Sequence, residues 1–99
     1  MGRNSQIAQR LQNGETVQWR PHGNSMTPKV KSGQLVTVEP ATLDDIEAGD
    51  IVFAKVQGSY YLHLARQIGD DGRILISNNH GHVNGWSRQI FGKLTKVEP

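Results

Sequence analysis

The chain contains no cysteine. That excludes thiol nucleophiles, zinc sites built on thiolates and any disulfide framework, and it leaves the redox compartment open. Charge of either sign is nowhere concentrated: 11 basic and 9 acidic side chains are scattered along 99 residues, for a formal net charge of +2. A surface that tracks phosphates needs clustered Lys and Arg, so no nucleic-acid partner is expected. Apolar runs are short, far below the ~20 residues that cross a bilayer, and the stretch from Met1 to Arg10 is too polar for a secretory signal. Repeats, low-complexity segments and linkers are also missing. The expectation is a soluble, cytoplasmic protein with no membrane partner, of a size that suits a bacterial or phage accessory protein.

What is present is a globular composition, 35% hydrophobic with 11 glycines, in a chain long enough for one core. It is read as a single domain over residues 1–99, with a helical segment at 1–14 and a β-domain at 15–99. Asn4 or Ser5 can cap a helix running through Gln12, with Ile7, Ala8 and Leu11 on one face and Asn13-Gly14 as its stop. From Thr16 onward the period becomes two, and residues 16–20, 34–39, 51–57, 59–68, 73–78 and 89–97 read as strands. The fold class is therefore mainly β, an antiparallel sheet expected to form a partly closed barrel. Thr27-Pro28 reads as a cap and first residue of a single helical turn ending near Lys31, and Leu43 to Glu47 as a second short turn.

Polar groups converge on the strand at 59–68. Tyr60, Leu62 and Leu64 share one face, and Tyr61, His63 and Ala65 the other. The following "IGDDGRI" is a hairpin signal. A turn centred on Asp70-Asp71 places His63 opposite Asn78, and one at Asp71-Gly72 places it opposite His80 with Asn78 one diagonal away. Either register groups His63 with Asn78. An amide oxygen accepting the Nδ1 proton would leave Nε2 free to take a proton from a hydroxyl. Ser25, beside Gly23 and ahead of a turn with free N–H groups, is the candidate hydroxyl.

The segments "GNSMTP", "SGQLVTVEP", "AGDIVFAKVQGSYYLHLARQI" and "IFGKL" resemble the LexA/signal peptidase superfamily of serine peptidases over most of residues 23–97. The resemblance implies that Ser25, in the Gly-x-Ser-Met-x-Pro motif, is a nucleophile. It also implies that Gly49-Asp50-Ile51-Val52, and less closely Gly33-Gln34-Leu35-Val36, open structural strands. Counting on from Gly49-Asp50 puts His63 at the position of the general base, as in the Ser/His branch of the signal peptidases. Histidine, with a pKa of about 6.5, is largely neutral near pH 7 without the depression that a lysine base requires. Where that branch carries an aspartate, this chain has Asn78, within Ser77-Asn78-Asn79. An amide can orient the ring, as in Cys-His-Asn peptidases, while stabilising imidazolium less than a carboxylate does. Unlike relatives in the superfamily, the chain is expected to have neither a membrane anchor nor a DNA-binding domain. Ala48-Gly49 resembles a repressor cleavage pair but lies inside the Gly-Asp motif.

The reading is thus a serine peptidase-like protein acting on a peptide or protein, its own chain or a partner's, through Ser25, His63 and Asn78, with no cofactor or metal. The alternative is a noncatalytic peptide- or protein-binding module with a degenerate site. Blander roles stand beside each residue: a turn serine at 25, a half-exposed strand histidine at 63, and loop hydrogen bonding by Asn78 and Asn79. His80-Gly81-His82 with His63 offers a three-imidazole metal reading. Asp70-Asp71 and Asn84-Gly85 read as turn chemistry, Trp19 and Trp86 as core or edge packing, and Lys55 as no base.

Overall fold

The computed structural model describes residues 2–99. Helix α1, Arg3–Gln12, buries Ile7, Ala8 and Leu11 on one face. It begins two to three residues earlier than the capping residues suggest, with Gly2 at the N-cap, and Ser5 Oγ donates to the Gly2 carbonyl (2.8 Å) instead of accepting an amide. Seven strands follow: β1 (Val17–Trp19), β2 (Leu35–Pro40), β3 (Ile51–Val56), β4 (Ser59–Ile68), β5 (Ile74–Ser77), β6 (Val83–Ser87) and β7 (Gln89–Glu98). A single 3-10 turn, Leu43–Asp45, is capped reciprocally by Thr42 and Asp45.

All seven strands lie in one antiparallel sheet in the order β1-β2-β7-β3-β4-β5-β6. This is the mainly β, antiparallel fold expected, and where a partly closed barrel was expected the sheet is not closed into one. No ladder joins β1 to β6, and both are edges. Bulges in several ladders increase the local twist. The sheet curls enough for Ser87 Oγ in β6 to donate to the Lys55 carbonyl in β3 at 2.6 Å, but it stays open.

Two apolar clusters cover the two faces of the sheet. One gathers Leu11 of α1 with Val17, Val36, Val38 and Phe53, and the other gathers Val52, Ala54, Val56, Ala65, Ile74 and Ile76. Strand β3 contributes to both, which is why "IVFAKV" is nearly continuous in apolar residues instead of alternating. The first cluster closes at Gly92 in β7. A Cβ there would lie 2.7 Å from Val38 Cγ1 and 3.1 Å from Leu11 Cδ1, so the missing side chain is what lets the helix and β2 approach.

Strand β4 agrees with the sequence reading over its whole length, while its hairpin to β5 falls between the two registers considered. Gly69 N–H donates to the Arg73 carbonyl and Gly72 N–H to the Gly69 carbonyl, and Ile68 faces Ile74. Arg66 is then surplus, forming a bulge that brings Leu64 opposite Ser77. The register near His63 is therefore the one that the Asp70-Asp71 turn predicts. Residues 83–87, outside the strands read from the sequence and containing Asn84-Gly85 read as a turn, form β6.

Candidate active site

Ser25 sits in the loop between β1 and β2. The base of this loop is closed by Gly33 N–H to the Pro21 carbonyl (2.9 Å), Arg20 Nη1 to the Gly33 carbonyl (2.9 Å) and Gly23 N–H to Ser32 Oγ (3.1 Å). Met26 and Val30 anchor it from below, both buried in the helix-side cluster. Gly23 has φ +119, a conformation that side chains rarely adopt, so the residue two before the serine is fixed by backbone geometry. The expected helical turn from Thr27 does not form. Residues 25–29 are turns, and the Thr27–Pro28 peptide is cis.

This loop delivers Ser25 Oγ to β4, where it lies 3.1 Å from His63 Nε2. His63 is 8% exposed and stacks on Tyr61, its neighbour on the same strand face, with ring centroids 4.8 Å apart. At the other side of the ring Nδ1 lies 2.7 Å from Asn84 Oδ1. An amide oxygen only accepts, so Nδ1 carries the proton, Nε2 is the open lone pair, and the Ser25 hydroxyl donates to it. Hydroxyl, imidazole and amide form one row. Burial pushes the His63 pKa below its ordinary 6.5; the Asn84 hydrogen bond opposes this shift and the neighbouring His82 charge adds to it. Near neutral pH the ring is therefore a neutral base.

Asn78 does not fill the place expected of it. Although the register brings its segment opposite His63, β5 ends at Ser77 and Asn78 opens a turn. Its Oδ1 accepts the backbone N–H groups of His80 and His82, both at 2.9 Å, and its own N–H donates to the His82 carbonyl. The residue holding the ring is Asn84, on the next strand. Ile76 faces Gly85 and Ser77 faces Val83, so Asn84 is the surplus residue of a bulge. A bulge re-aims a side chain without local sequence warning. The available signal was a second asparagine on the same hairpin, and Asn84-Gly85 reads by itself as a turn.

The other candidates separate cleanly. Asn79 binds loop backbone, with Nδ2 donating to the Thr27 carbonyl (3.0 Å) and N–H to the Ser25 carbonyl (2.8 Å). His80 turns to Asn24 and Thr27, and among the described residues no group of three or more His, Cys, Asp or Glu is arranged to hold a metal. Lys55 stands over the Tyr60 ring, 5.2 Å from its centroid. Trp19 packs edge-on against Phe53, whereas Trp86 is 39% exposed beneath Arg73. The Ala48-Gly49 pair is tied into the sheet by Gly49 N–H to the Ala65 carbonyl at 2.8 Å.

A cleft of about 300 Å³ opens over the row, lined by Ser25 and His63 with Trp19, His22, Tyr61 and Leu62. Behind Ser25 a smaller hollow of about 40 Å³ is lined by Met26, Val30 and Leu62 among others. Strand β4 outruns β5 at this end. Its pairing with β5 starts at Leu64, so residues 60–63, which also line the cleft, have no strand partner on that side. Among the described residues no helix is long and apolar enough to cross a membrane.

In comparison with known proteins, the family model described as Peptidase S24-like matches residues 5–90, a span that contains Ser25, His63 and Asn84. No curated protein matches the chain.

Proposed function

The chain belongs to the Peptidase S24-like family, within the LexA/signal peptidase superfamily of serine peptidases, and on that footing we propose that it is a serine endopeptidase with Ser25 as nucleophile and His63 as general base. The observation that carries this reading is the 3.1 Å contact between Ser25 Oγ and His63 Nε2, with Nδ1 held at 2.7 Å by Asn84. A nucleophile, a base that is neutral near pH 7 and a third group fixing the tautomer are the parts that acyl transfer requires.

In this mechanism the Ser25 oxygen attacks a peptide carbonyl while His63 Nε2 takes its proton. The tetrahedral oxyanion is stabilised by backbone N–H groups of the Ser25 loop. The carbon–nitrogen bond then breaks, His63 returns the proton to the leaving amine, and the acyl group remains on Ser25. Water, deprotonated by His63, releases it.

The unpaired edge at residues 60–63 suits an extended peptide, which would add backbone hydrogen bonds to the sheet and pass its carbonyl in front of Ser25. The hollow of about 40 Å³ beside Ser25 has room for a small substrate side chain such as alanine. The substrate is a peptide or protein, a partner or this chain itself, cut in the cytoplasm. The Asn84 amide in place of a carboxylate implies slow turnover.

Fluorophosphonate labelling of wild type, Ser25→Ala and His63→Ala near neutral pH tests the reading, paired with hydrolysis of short peptides carrying alanine or leucine at the cleaved bond. Label that requires Ser25 and His63, with cleavage after alanine, is the expected result. Absence of Ser25-dependent label would leave a noncatalytic binding module.

A further inference from the structure

The loop between β5 and β6 touches the Ser25 loop through His80 and Asn79. His80 Nε2 lies 3.0 Å from the Asn24 carbonyl and 3.0 Å from Thr27 Oγ1. A carbonyl oxygen accepts only, so Nε2 carries its proton there. The same carbonyl also accepts the Thr27 hydroxyl (2.9 Å) and the Thr27 N–H (3.3 Å). Three donors therefore meet on one oxygen. Asn78 holds His80 in place by accepting its backbone N–H, and Asn79 adds its own bonds to the Ser25 and Thr27 carbonyls.

The Asn24 carbonyl belongs to the peptide unit whose other end is the Ser25 N–H. Because a peptide unit is planar, fixing one end fixes the other. The Asn24–Ser25 peptide is trans, so the Ser25 N–H points opposite to the Asn24 carbonyl, and among the described residues it has no hydrogen-bond acceptor. Ser25 is exposed, and an N–H held still at the surface of the cleft with no protein acceptor is free to donate to a developing oxyanion.

We propose that His80 is a positioning residue: acting with Thr27 on the Asn24 carbonyl, it fixes the plane of the Asn24–Ser25 peptide and so aims the Ser25 N–H as oxyanion donor. The inference rests on the Ser25 reading above. It assigns His80, first considered as a metal ligand, to the nucleophile loop, and it makes one hairpin responsible for both the base, through Asn84, and the oxyanion donor, through His80.

The test compares wild type, His80→Ala, His80→Gln and Thr27→Val in two measurements: the fluorophosphonate labelling rate as a function of pH, and amide hydrogen exchange over residues 24–27. Loss of an aligned oxyanion donor typically costs about 10²–10³ in rate, and misalignment is expected to cost at least about tenfold in His80→Ala. The pH midpoint, set by His63, should stay in place. Glutamine, whose amide N–H reaches to the same distance, should recover most of the rate, and Thr27→Val should fall between the two. Exchange over 24–27 should quicken in His80→Ala while β3 amides are unchanged, which separates local release from global loosening. Labelling at the wild-type rate in His80→Ala, or exchange unchanged across 24–27, overturns the proposal. A wild-type protein that takes no label sinks the peptidase reading, and unchanged or quickened exchange then decides whether His80 fixes the loop.

Discussion

Asn84 Oδ1 stands 2.7 Å from His63 Nδ1, across a bulge that separates it from every regular pairing in its strand. This contact selects the tautomer that leaves Nε2 facing Ser25. Removing it in Asn84→Ala should cut Ser25-dependent labelling by about 10-fold to 10³-fold, since a ring free to take the other tautomer presents a proton where a lone pair is needed. Asn78→Ala should instead act on stability, losing two accepted amide bonds worth about 1–3 kcal/mol together, with a smaller effect on labelling at temperatures where the protein stays folded. Parallel labelling and thermal melts distinguish them, and equal effects of the two variants on both measurements would refute the assignment.

Asn84→Asp should increase the labelling rate. A carboxylate in the same place accepts the same Nδ1 proton and in addition stabilises the imidazolium formed during attack, a gain expected at about 10-fold to 100-fold above the midpoint of the titration. The His63 pKa should rise in the variant, so the acid limb of the rate profile moves to higher pH. A faster enzyme with an unshifted limb would mean that the gain comes from elsewhere.

The pH dependence of the wild type follows from the lowered His63 pKa. Below the unfolded-state value of 6.5 the unfolded chain binds the proton before the folded one does. His63 therefore contributes stability in full above 6.5, and this contribution is lost as pH falls from there through the folded pKa. Labelling should hold its rate to below pH 6.5 and then decline. An NMR titration of the imidazole, with urea melts of wild type and His63→Asn across the same range, checks both. A midpoint at or above 6.5 contradicts burial as the dominant influence.

Gly92→Ala tests the packing that holds the helix to the sheet. The added methyl would meet Val38 Cγ1 at 2.7 Å and the Glu39 carbonyl at 2.8 Å, and the carbonyl, as backbone, cannot move aside cheaply. A loss of about 1–3 kcal/mol in urea unfolding is expected. Little change would show that α1 and β2 can separate without cost.

The residues themselves account for what could be read before the fold was known. Strand β4 and its face pattern were legible because Tyr60 to Ala65 alternate between two surfaces that are both partly covered. Ser25 and His63 were legible through a motif and a spacing. Asn84 was hidden because a bulge placed it: "VNGWS" has no alternation, and Asn-Gly ordinarily marks a turn. The helix start moved because a serine can donate backward to a carbonyl as readily as it caps forward. The mainly β antiparallel class was legible from the period of two, whereas the degree of closure was not, because curling and closing are different: Ser87 reaches β3 by a side chain, with no ladder formed.

The surplus position in β6 has a genetic consequence. A one-codon deletion at Asn84 would leave Val83 and Gly85 to pair in regular register with β5, a change the sheet can absorb. Such an allele would keep the sheet while its histidine lost its anchor, so the proposed peptidase activity would be switched off by an indel that no comparison of overall shape would reveal.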